Sequence, residues 1–234
     1  MPLGDRALLI NFEQIIDRDI HRQVVALSNK IEAALIEGVT FILPAYCSIT
    51  IGYAPENIRY EELKPLIKDL WKKPASTQKS SNRFLTLPVC YEEPCALDLL
   101  EISKLSGLNP EDIIAKHCSQ SYQVYMLGFL PGFPYLGILP EILQYPRKPE
   151  PRLHVPDRSV GLAGPQTGIY PFRSPGGWNI IGRTPLPIFN AKQNDPFLFK
   201  TGDEVKFLAI GKEEYQMIEA EIEDGTYNWD GING

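Results

Sequence analysis

Arginine side chains are concentrated in one stretch of this chain that is also rich in glycine and proline. Positions 147 to 183 hold six cations, five of them arginine, against two acids, so this stretch carries +4 in a chain whose net charge is −6. A guanidinium binds carboxylate or phosphate through two parallel hydrogen bonds. Glycines let backbone N–H groups approach an anion closely, and prolines restrict the loop before a ligand arrives. The stretch therefore predicts a preorganised anion-binding pocket.

The densest part of this stretch is GPQTGIYPFRSPGGWNIIGRTP, residues 164–185, with five glycines, four prolines and three aromatic rings. Glycine and proline at this density are typical of disorder, but a disordered linker lacks such aromatic residues. We expect Arg147, Arg152 and Arg183 to line one pocket with the turns at 164–168 and 176–177. The alternative is a proline-stiffened barrel loop whose arginines cap carbonyl groups or pair with acids elsewhere.

Other residues are candidates for the same site, each with a structural alternative. Gln166 and Thr167 stand between glycines and can hydrogen-bond a ligand amide or stabilise a turn. Trp178 is a stacking wall or a core anchor. His117, near the end of a short helix, is a proton carrier or a helix-end cation. The predicted catalytic residues are His117, Arg147, Arg152 and Arg183, and the predicted substrate-binding residues are Gln166, Thr167, Tyr170, Gly176, Gly177 and Trp178.

Composition and missing motifs exclude several classes of function. A net charge of −6 argues against nucleic acid or an anionic membrane as the main partner. The sequence has no P-loop, no G-x-S-x-G elbow and no run of about 20 apolar residues such as a membrane helix needs. The four cysteines form no CxxC pair and no metal-like spacing with histidine, so we predict reduced thiols and no metal site. An N-terminus without the apolar segment of a signal peptide predicts a cytoplasmic protein.

Apolar periodicity predicts a small α/β unit in the first third of the chain. A helix is expected to begin after Asp17 and to end at Gly38. The polar segment 72–82 has no large apolar residue and is the predicted linker. The other predicted elements of this unit are strands at 5–12 and 47–53 and a helix at 60–71.

The rest of the chain predicts a second and larger unit. Residues 131–187 hold 12 of the 21 prolines and 8 of the 18 glycines, so we predict mostly turns there. A hairpin is expected over 197–210 with its turn at Thr201–Asp203. Asn109 is the expected N-cap of a helix that begins with proline. The other predicted elements are strands at 83–89 and 122–130 and helices at 97–106, 110–118 and 212–222.

Long and unusual motifs follow one another in the same order as in one known family. They include GDRALLINF, LPAYCSITIGY, YQVYMLGFLPGFPYLGIL, GIYPFRSPGGWNIIGRTP and KTGDEVKF, and they span about residues 4 to 210. On these motifs the chain is identified as a member of the family variously called allophanate hydrolase subunit 1, sporulation kinase A inhibitor and the B component of bacterial ATP-dependent 5-oxoprolinase.

This resemblance implies the α+β fold class, with a small N-terminal α/β domain at 1–80 followed by a cyclophilin-like β-barrel domain with short helices at 81–234. It implies partners, because members of the family work with a sister carboxyltransferase-like protein, the C component of 5-oxoprolinase, and with its A component. The implied reaction opens 5-oxoproline to L-glutamate: the B and C components phosphorylate the lactam, and the A component opens the ring. The chain is then inactive alone, and ATP with Mg²⁺ binds at the level of the complex rather than tightly to this chain.

Two other roles known in the family stay open. One is a regulator that binds a histidine kinase and blocks its autophosphorylation, and the other is a subunit of a urea- or allophanate-processing enzyme. An inhibitor needs only an exposed patch, whereas the arginines, glycines and polar side chains of this chain favour a pocket. The chain departs from the family at Asp157-Arg158, where a small residue and glycine are common, and in VCYEEPCAL, which lacks the usual glycine. If the turn at Asp157-Arg158 shapes the pocket, this departure implies a different choice of substrate.

Overall fold

The computed structural model describes residues 1–73 and 83–232, so the predicted linker lies, from residue 74 onwards, outside the described residues. The chain divides into two compact units, Met1–Ser81 and Asn82–Gly234. That 1–80 and 81–234 are separate folding domains stays a prediction. The elements of the first unit are β1 (Ala7–Asn11), α1 (Arg18–Ala33), β2 (Val39–Pro44), β3 (Ser48–Tyr53) and α2 (Tyr60–Lys72).

The first unit is an antiparallel sheet in the order β1-β3-β2, packed with its two helices around one apolar core. α1 begins where predicted, because the Asp17 side chain accepts the backbone N–H groups of Asp19 and Ile20 at 2.8 and 2.9 Å. These donors have no partner within the helix. The helix ends before the predicted stop at Gly38, since Leu35 already has left-handed backbone with φ of 44°. The strand β2 was not among the predicted elements.

The second unit combines a seven-stranded barrel, a separate two-stranded sheet and three α-helices among its described residues. Its elements are β4 (Phe84–Cys90), α3 (Leu99–Ser106), α4 (Pro110–Cys118), β5 (Ser121–Leu127), β6 (Pro134–Gly137), β7 (Arg152–Val155), β8 (Ser159–Ala163), β9 (Gln166–Ile169), β10 (Ser174–Gly176), β11 (Asn179–Arg183), β12 (Glu204–Ile210) and α5 (Lys212–Glu223), with short 3-10 helices at Glu141–Leu143 and Trp229–Ile232. The predicted α+β class with a barrel is confirmed. Within 1–73 and 83–232, no helix has the length and apolar character needed to cross a bilayer.

The barrel closes in the order β11-β4-β12-β5-β6-β9-β8, and β8 pairs back with β11. β12 lies parallel to β4 along its whole length, from Glu204 opposite Phe84 to Ile210 opposite Cys90, and antiparallel to β5. The predicted hairpin over 197–210 is therefore wrong. Its turn residues are a local signal, whereas the partners of β12 are chosen by closure of the barrel with strands far away in the sequence.

The prediction that 131–187 consists mostly of turns misses six short strands, β6 to β11, although 32 of these 57 residues lie outside strands. These strands have only three to five residues each. Barrel strands among them are buried on both faces, so the alternation of apolar and polar residues that marks a half-buried strand does not appear. Short strands without this alternation are indistinguishable from loops in a sequence rich in proline and glycine.

A second apolar cluster, the outer cluster, covers one side of the barrel. Its buried members are Phe133, Val155, Ala163, Tyr170, Trp178 and Ile180. Gly168 lies beneath this cluster on β9, where an added Cβ would be 2.9 Å from Phe133 Cζ, from the Pro134 carbonyl oxygen and from Trp178 Cζ3. The Phe133 and Trp178 rings can therefore pack this close to β9 only because residue 168 is glycine.

Candidate functional site

Four aromatic rings form a continuous wall at the outer cluster. The centroid of the Phe133 ring lies 4.9 Å from that of Tyr135, 5.1 Å from that of Tyr170 and 5.3 Å from that of Trp178. The backbone N–H of Trp178 donates to the Tyr170 phenol, whose ring packs directly against Gly176. Burial raises the pKa of Tyr170 to about 12, against the opposing effects of that hydrogen bond and of Arg147. The phenol is thus a neutral part of a rigid wall.

Arg147 is the cation that lies over this wall. Its guanidinium carbon is 5.8 Å from the centre of the Trp178 ring, a distance at which the ring face attracts a cation. The side chain is exposed, and it forms no ion pair with a carboxylate of residues 1–73 or 83–232. The adjoining cavity of about 430 Å³ is lined by Glu101, Leu105, Tyr145, Pro146, Arg147, Lys148, Pro149, Glu150 and Asn179.

Arg152 lies near Arg147, but its charge is already paired. Its Nη1 donates to Asp98 at 2.8 Å and its Nη2 donates to the second oxygen of the same carboxylate. Asp98 is only 1% exposed, and it also accepts Lys148 Nζ at 3.0 Å and the backbone N–H of Ile180 at 2.7 Å. Burial by itself lowers the pKa of Lys148, but the carboxylates of Glu101 and Asp98 outweigh burial and raise this pKa overall.

Arg183 belongs to a different cluster, so the expectation that three arginines line one pocket is wrong. It lies at the opposite end of β11 from Asn179, about 13 Å along the strand at the usual rise per residue. Its Nε donates to the Asp157 carbonyl oxygen at 2.8 Å and its Nη2 to the Asp157 carboxylate at 2.6 Å. Arg158 contacts the same carboxylate at 2.8 Å and Glu219 at 2.7 Å. Burial raises the pKa of Asp157, but the two arginines outweigh burial and lower this pKa overall.

Arg158 has a backbone conformation that glycine favours, with φ of 60°. Its Nη1 donates to the carbonyl oxygen of Pro185 at 2.7 Å, which adds to its two ion pairs. The glycine that is common in the family at this position would adopt this positive φ without strain. In this chain the side-chain contacts of Arg158 hold its backbone in the same conformation. The turn does not line the cavity beside Arg147, so the departure at Asp157-Arg158 does not shape that cavity.

The remaining predicted binding residues divide between two sides of the barrel wall. Tyr170, Gly176 and Trp178 are part of the outer cluster or touch it, and the Gly177 carbonyl oxygen accepts the backbone N–H of Lys148 at 2.7 Å. Thr167 is fully buried and contacts His117 inside the barrel. Gln166, next to it on β9, points to the other face and is half-buried.

His117 lies inside the barrel, away from the cavity beside Arg147. Its Nδ1 is 2.8 Å from the Tyr91 hydroxyl and its Nε2 is 3.1 Å from Thr167 Oγ1. Because the Thr167 hydroxyl donates to the carbonyl oxygen of Gly161 at 3.1 Å, it accepts from Nε2, which therefore carries the hydrogen. The ring also stacks on Phe207 at 4.4 Å between centroids. The catalytic role of His117 stays a prediction, and the structure does not bring it together with the predicted arginines.

The burial of His117 makes the stability of the protein depend on pH. Burial lowers the pKa of His117 from 6.5 to about 3, so only the unfolded state takes up this proton between pH 6.5 and 3. The free energy of unfolding is expected to decrease as the pH is lowered, by about 2 kcal/mol from pH 8 to pH 5. Denaturant unfolding at a series of pH values measures it, and His117→Gln should remove this part of the dependence. An imidazole signal of His117 that titrates between pH 5.5 and 7 in the folded protein would contradict this prediction.

Several residues of the site carry no clear signal in the sequence. In the sequence, Asp98 is only one residue of a predicted helix, and Tyr135 and Asn179 are only residues of long family motifs. Lys148 counts as a charge without a role. The sequence places Lys148 next to Arg147, which is a usable signal, but it gives no sign that Asp98 lies against both Lys148 and Arg152.

The arrangement suits a small, flat and negatively charged ligand. Arg147 provides a free guanidinium fork, the lining residues Leu105, Tyr145 and Pro146 provide apolar faces, and Glu150 provides a hydrogen-bond acceptor. Within 1–73 and 83–232, no group of three or more histidine, cysteine, aspartate or glutamate side chains is arranged to hold a metal ion. The chemistry that the site supports is thus recognition of an anion and its ring.

Known proteins resemble almost the whole of this chain. It is 38% identical over 229 residues to the B component of 5-oxoprolinase from Bacillus subtilis (strain 168), covering 94% of this chain and 95% of that protein. It is 45% identical over 213 residues to the B component of 5-oxoprolinase from Haemophilus influenzae, covering 91% and 98%. The crystal structure of TTHA0988 superposes on 88% of this chain with a TM-score of 0.79 and 36% sequence identity. TTHA0988 is the longer protein, and the match covers 40% of it.

The family model described as "carboxyltransferase domain, subdomain C and D" matches residues 1–199. This match covers the first unit and the second unit up to residue 199, including the outer cluster and the cavity beside Arg147. The chain therefore belongs to the family of carboxyltransferase domains, subdomain C and D.

Proposed function

We propose that this chain is one component of an ATP-dependent 5-oxoprolinase, a cyclic amide hydrolase of the cytoplasm. The observation that carries the proposal is similarity over nearly the full length, at 38% and 45% identity, to proteins named as the B component of 5-oxoprolinase. The chain acts with the sister carboxyltransferase-like C component and with the A component, and it has little activity alone. Its task is to hold the lactam while the oxygen of that lactam is phosphorylated.

The cavity beside Arg147 offers what this substrate needs. 5-Oxoproline is a flat five-membered ring with one carboxylate, one N–H donor and one carbonyl oxygen. The free guanidinium of Arg147 binds the carboxylate in a bidentate way, and the apolar lining residues Leu105, Tyr145 and Pro146 lie against the ring of the substrate. Glu150 on the cavity rim accepts the lactam N–H. The carbonyl oxygen is left free to take the γ-phosphoryl group of ATP, with ADP as leaving group.

ATP and its Mg²⁺ are assigned to the assembled complex. A transferring phosphoryl group carries negative charge on its equatorial oxygens and needs several fixed cations or a metal beside it. In the described part of this chain, Arg147 alone among the cations of the cavity has no carboxylate partner, and no cluster of metal ligands is present. We therefore place the nucleotide on a partner protein and the lactam on this one.

Reconstitution from separately purified proteins tests this function. This chain by itself is expected to release no phosphate from ATP with 5-oxoproline, because it holds only the acceptor. Addition of the A and C components should start ATP-dependent release of phosphate and glutamate in equal amounts. The matched control is the same mixture of the A and C components without this chain, which should be inactive. Robust turnover by the isolated chain, or a complex that consumes urea or allophanate but not 5-oxoproline, would overturn the proposal.

A further inference from the structure

Asp98 is a buried carboxylate that the catalytic proposal does not use. It is 1% exposed and accepts hydrogen bonds from both terminal nitrogens of Arg152, from Lys148 Nζ and from the Ile180 backbone N–H. Its own backbone N–H donates to the Ile180 carbonyl oxygen at 2.7 Å. A buried charge is tolerated only with such partners, so this carboxylate fixes the positions of two cations beside the cavity.

The charges of Asp98, Glu101, Lys148 and Arg152 cancel, and Arg147 is left as the cavity cation without an ion pair among the described residues. Lys148 Nζ also lies 2.7 Å from Glu101, so two carboxylates, Asp98 and Glu101, face two cations, Lys148 and Arg152. Arg147 stands next to this neutral group without an ion pair to any described carboxylate. Glu150, on the cavity rim, is the remaining acid among the residues that line the cavity. The cavity thus presents a single guanidinium rather than a cluster of three cations.

The backbone on both sides of Arg147 is held in place. Asn179 Nδ2 donates to the Pro146 carbonyl oxygen at 2.9 Å, and the Lys148 N–H donates to the Gly177 carbonyl oxygen at 2.7 Å. The Lys148 side chain is in turn held by Asp98 at 3.0 Å. Loss of the Asp98 charge would therefore leave Lys148 Nζ paired with Glu101 alone and remove one of the contacts that hold the segment around Arg147.

We propose that Asp98 is a positioning and specificity-determining residue: by neutralising Lys148 and Arg152 it makes the Arg147 cavity selective for a singly charged carboxylate and excludes polyphosphates. The proposal rests on the proposed function for its choice of carboxylate. It follows that the nucleotide and the lactam do not compete for this cavity, because a triphosphate needs several cations that Asp98 and Glu101 occupy.

The test compares two ligands on three forms of the full-length chain. Isothermal titration at low ionic strength measures the dissociation constants of 5-oxoproline and of inorganic tripolyphosphate for the wild type, for Asp98→Asn and for Asp203→Asn. Asparagine keeps the hydrogen bond from the Ile180 N–H but loses the charge. Asp203 is the matched control, since it is 3% exposed and likewise binds an arginine, Arg83, within the same unit.

Wild type and the Asp203→Asn control are expected to prefer 5-oxoproline. Asp98→Asn should bind tripolyphosphate about tenfold more tightly, because a cation beside the cavity loses its counter-charge, and should bind 5-oxoproline more weakly. The gain in affinity for tripolyphosphate should disappear in high salt. If Asp98→Asn does not fold, Glu101→Gln replaces it, because that side chain is 58% exposed, and its gain should be about threefold.

A ratio of the two dissociation constants that stays within about twofold of wild type in Asp98→Asn, or that shifts equally in Asp203→Asn, would overturn the proposal. So would a wild-type chain that binds tripolyphosphate more tightly than 5-oxoproline. Failure of the proposed function would look different: the wild-type complex would not turn over 5-oxoproline, while tripolyphosphate binding would still rise in Asp98→Asn. The two failures are therefore distinguishable when the titrations are combined with the reconstitution assay.

Discussion

Replacement of Arg147 by alanine is expected to lower kcat/KM for 5-oxoproline roughly 30- to 150-fold in the reconstituted complex. The physical reason is the loss of a charge-assisted bidentate contact with the substrate carboxylate, which is worth on the order of 2–3 kcal/mol. Arg147→Lys should recover only part of this, because an ammonium cannot form the two parallel bonds. Steady-state kinetics at saturating ATP with varied 5-oxoproline measure the effect.

Thermal unfolding of the same samples separates binding from stability. Arg147 is exposed, and its guanidinium packs on the Trp178 ring without an ion pair to a described carboxylate, so the melting temperature should change by no more than a few degrees. Arg173→Ala is the matched control, since Arg173 is an exposed arginine of the same stretch that does not line the cavity. It should leave kcat/KM unchanged. Full activity of Arg147→Ala would show that the cavity does not bind the substrate.

Gly168→Ala is expected to destabilise the second unit by about 3 kcal/mol. The added methyl carbon would lie 2.9 Å from three atoms at once, and one of these, the Pro134 carbonyl oxygen, belongs to the backbone of the neighbouring strand. It cannot move aside as the end of a flexible side chain would. For a chain of this length such a loss lowers the melting temperature by about 6–12 °C, which circular dichroism measures.

Gly231→Ala serves as the control for this substitution. An added Cβ at Gly231 meets no atom within 4 Å, and its backbone needs no positive φ, so the melting temperature should stay the same. Trp178 emission should also change in Gly168→Ala, because the new methyl group pushes on that ring. A variant with wild-type stability and wild-type emission would contradict the packing described for the outer cluster.

Local signals in the sequence predicted the helices well. Asp17 and Asn109 cap α1 and α4 as expected, and Gly107 ends α3 with φ of 71°. Each of these features involves residues within four positions of one another, so the information lies in a short segment. The end of α1 was predicted less well, since the helix ends at Ala33 and Leu35 is already left-handed, although Gly38 has positive φ as well.

The site was predicted only in part, because the partners of its charges lie far away in the sequence. Arg147 and Trp178 were both expected in a region of anion-binding character, and they are in contact. Nothing in the sequence around Arg152 or Arg183 indicates that Asp98 and Asp157 neutralise them. A count of charged residues along the chain gives the net charge of a segment, but it does not show which of those charges are paired with distant residues and which face a cavity.

The parallel pairing of β4 with β12 has a consequence for how the protein is made. Phe84 pairs with Glu204, 120 positions later in the chain, and the barrel is incomplete until that residue has left the ribosome. At synthesis rates of about 5–20 residues per second, β4 waits roughly 6 to 24 seconds for its neighbour. By contrast, all elements of the first unit have been synthesised by residue 72. A nascent chain that stalls before residue 204 therefore exposes unpaired apolar strands of the barrel, and we expect it to be bound by chaperones during translation.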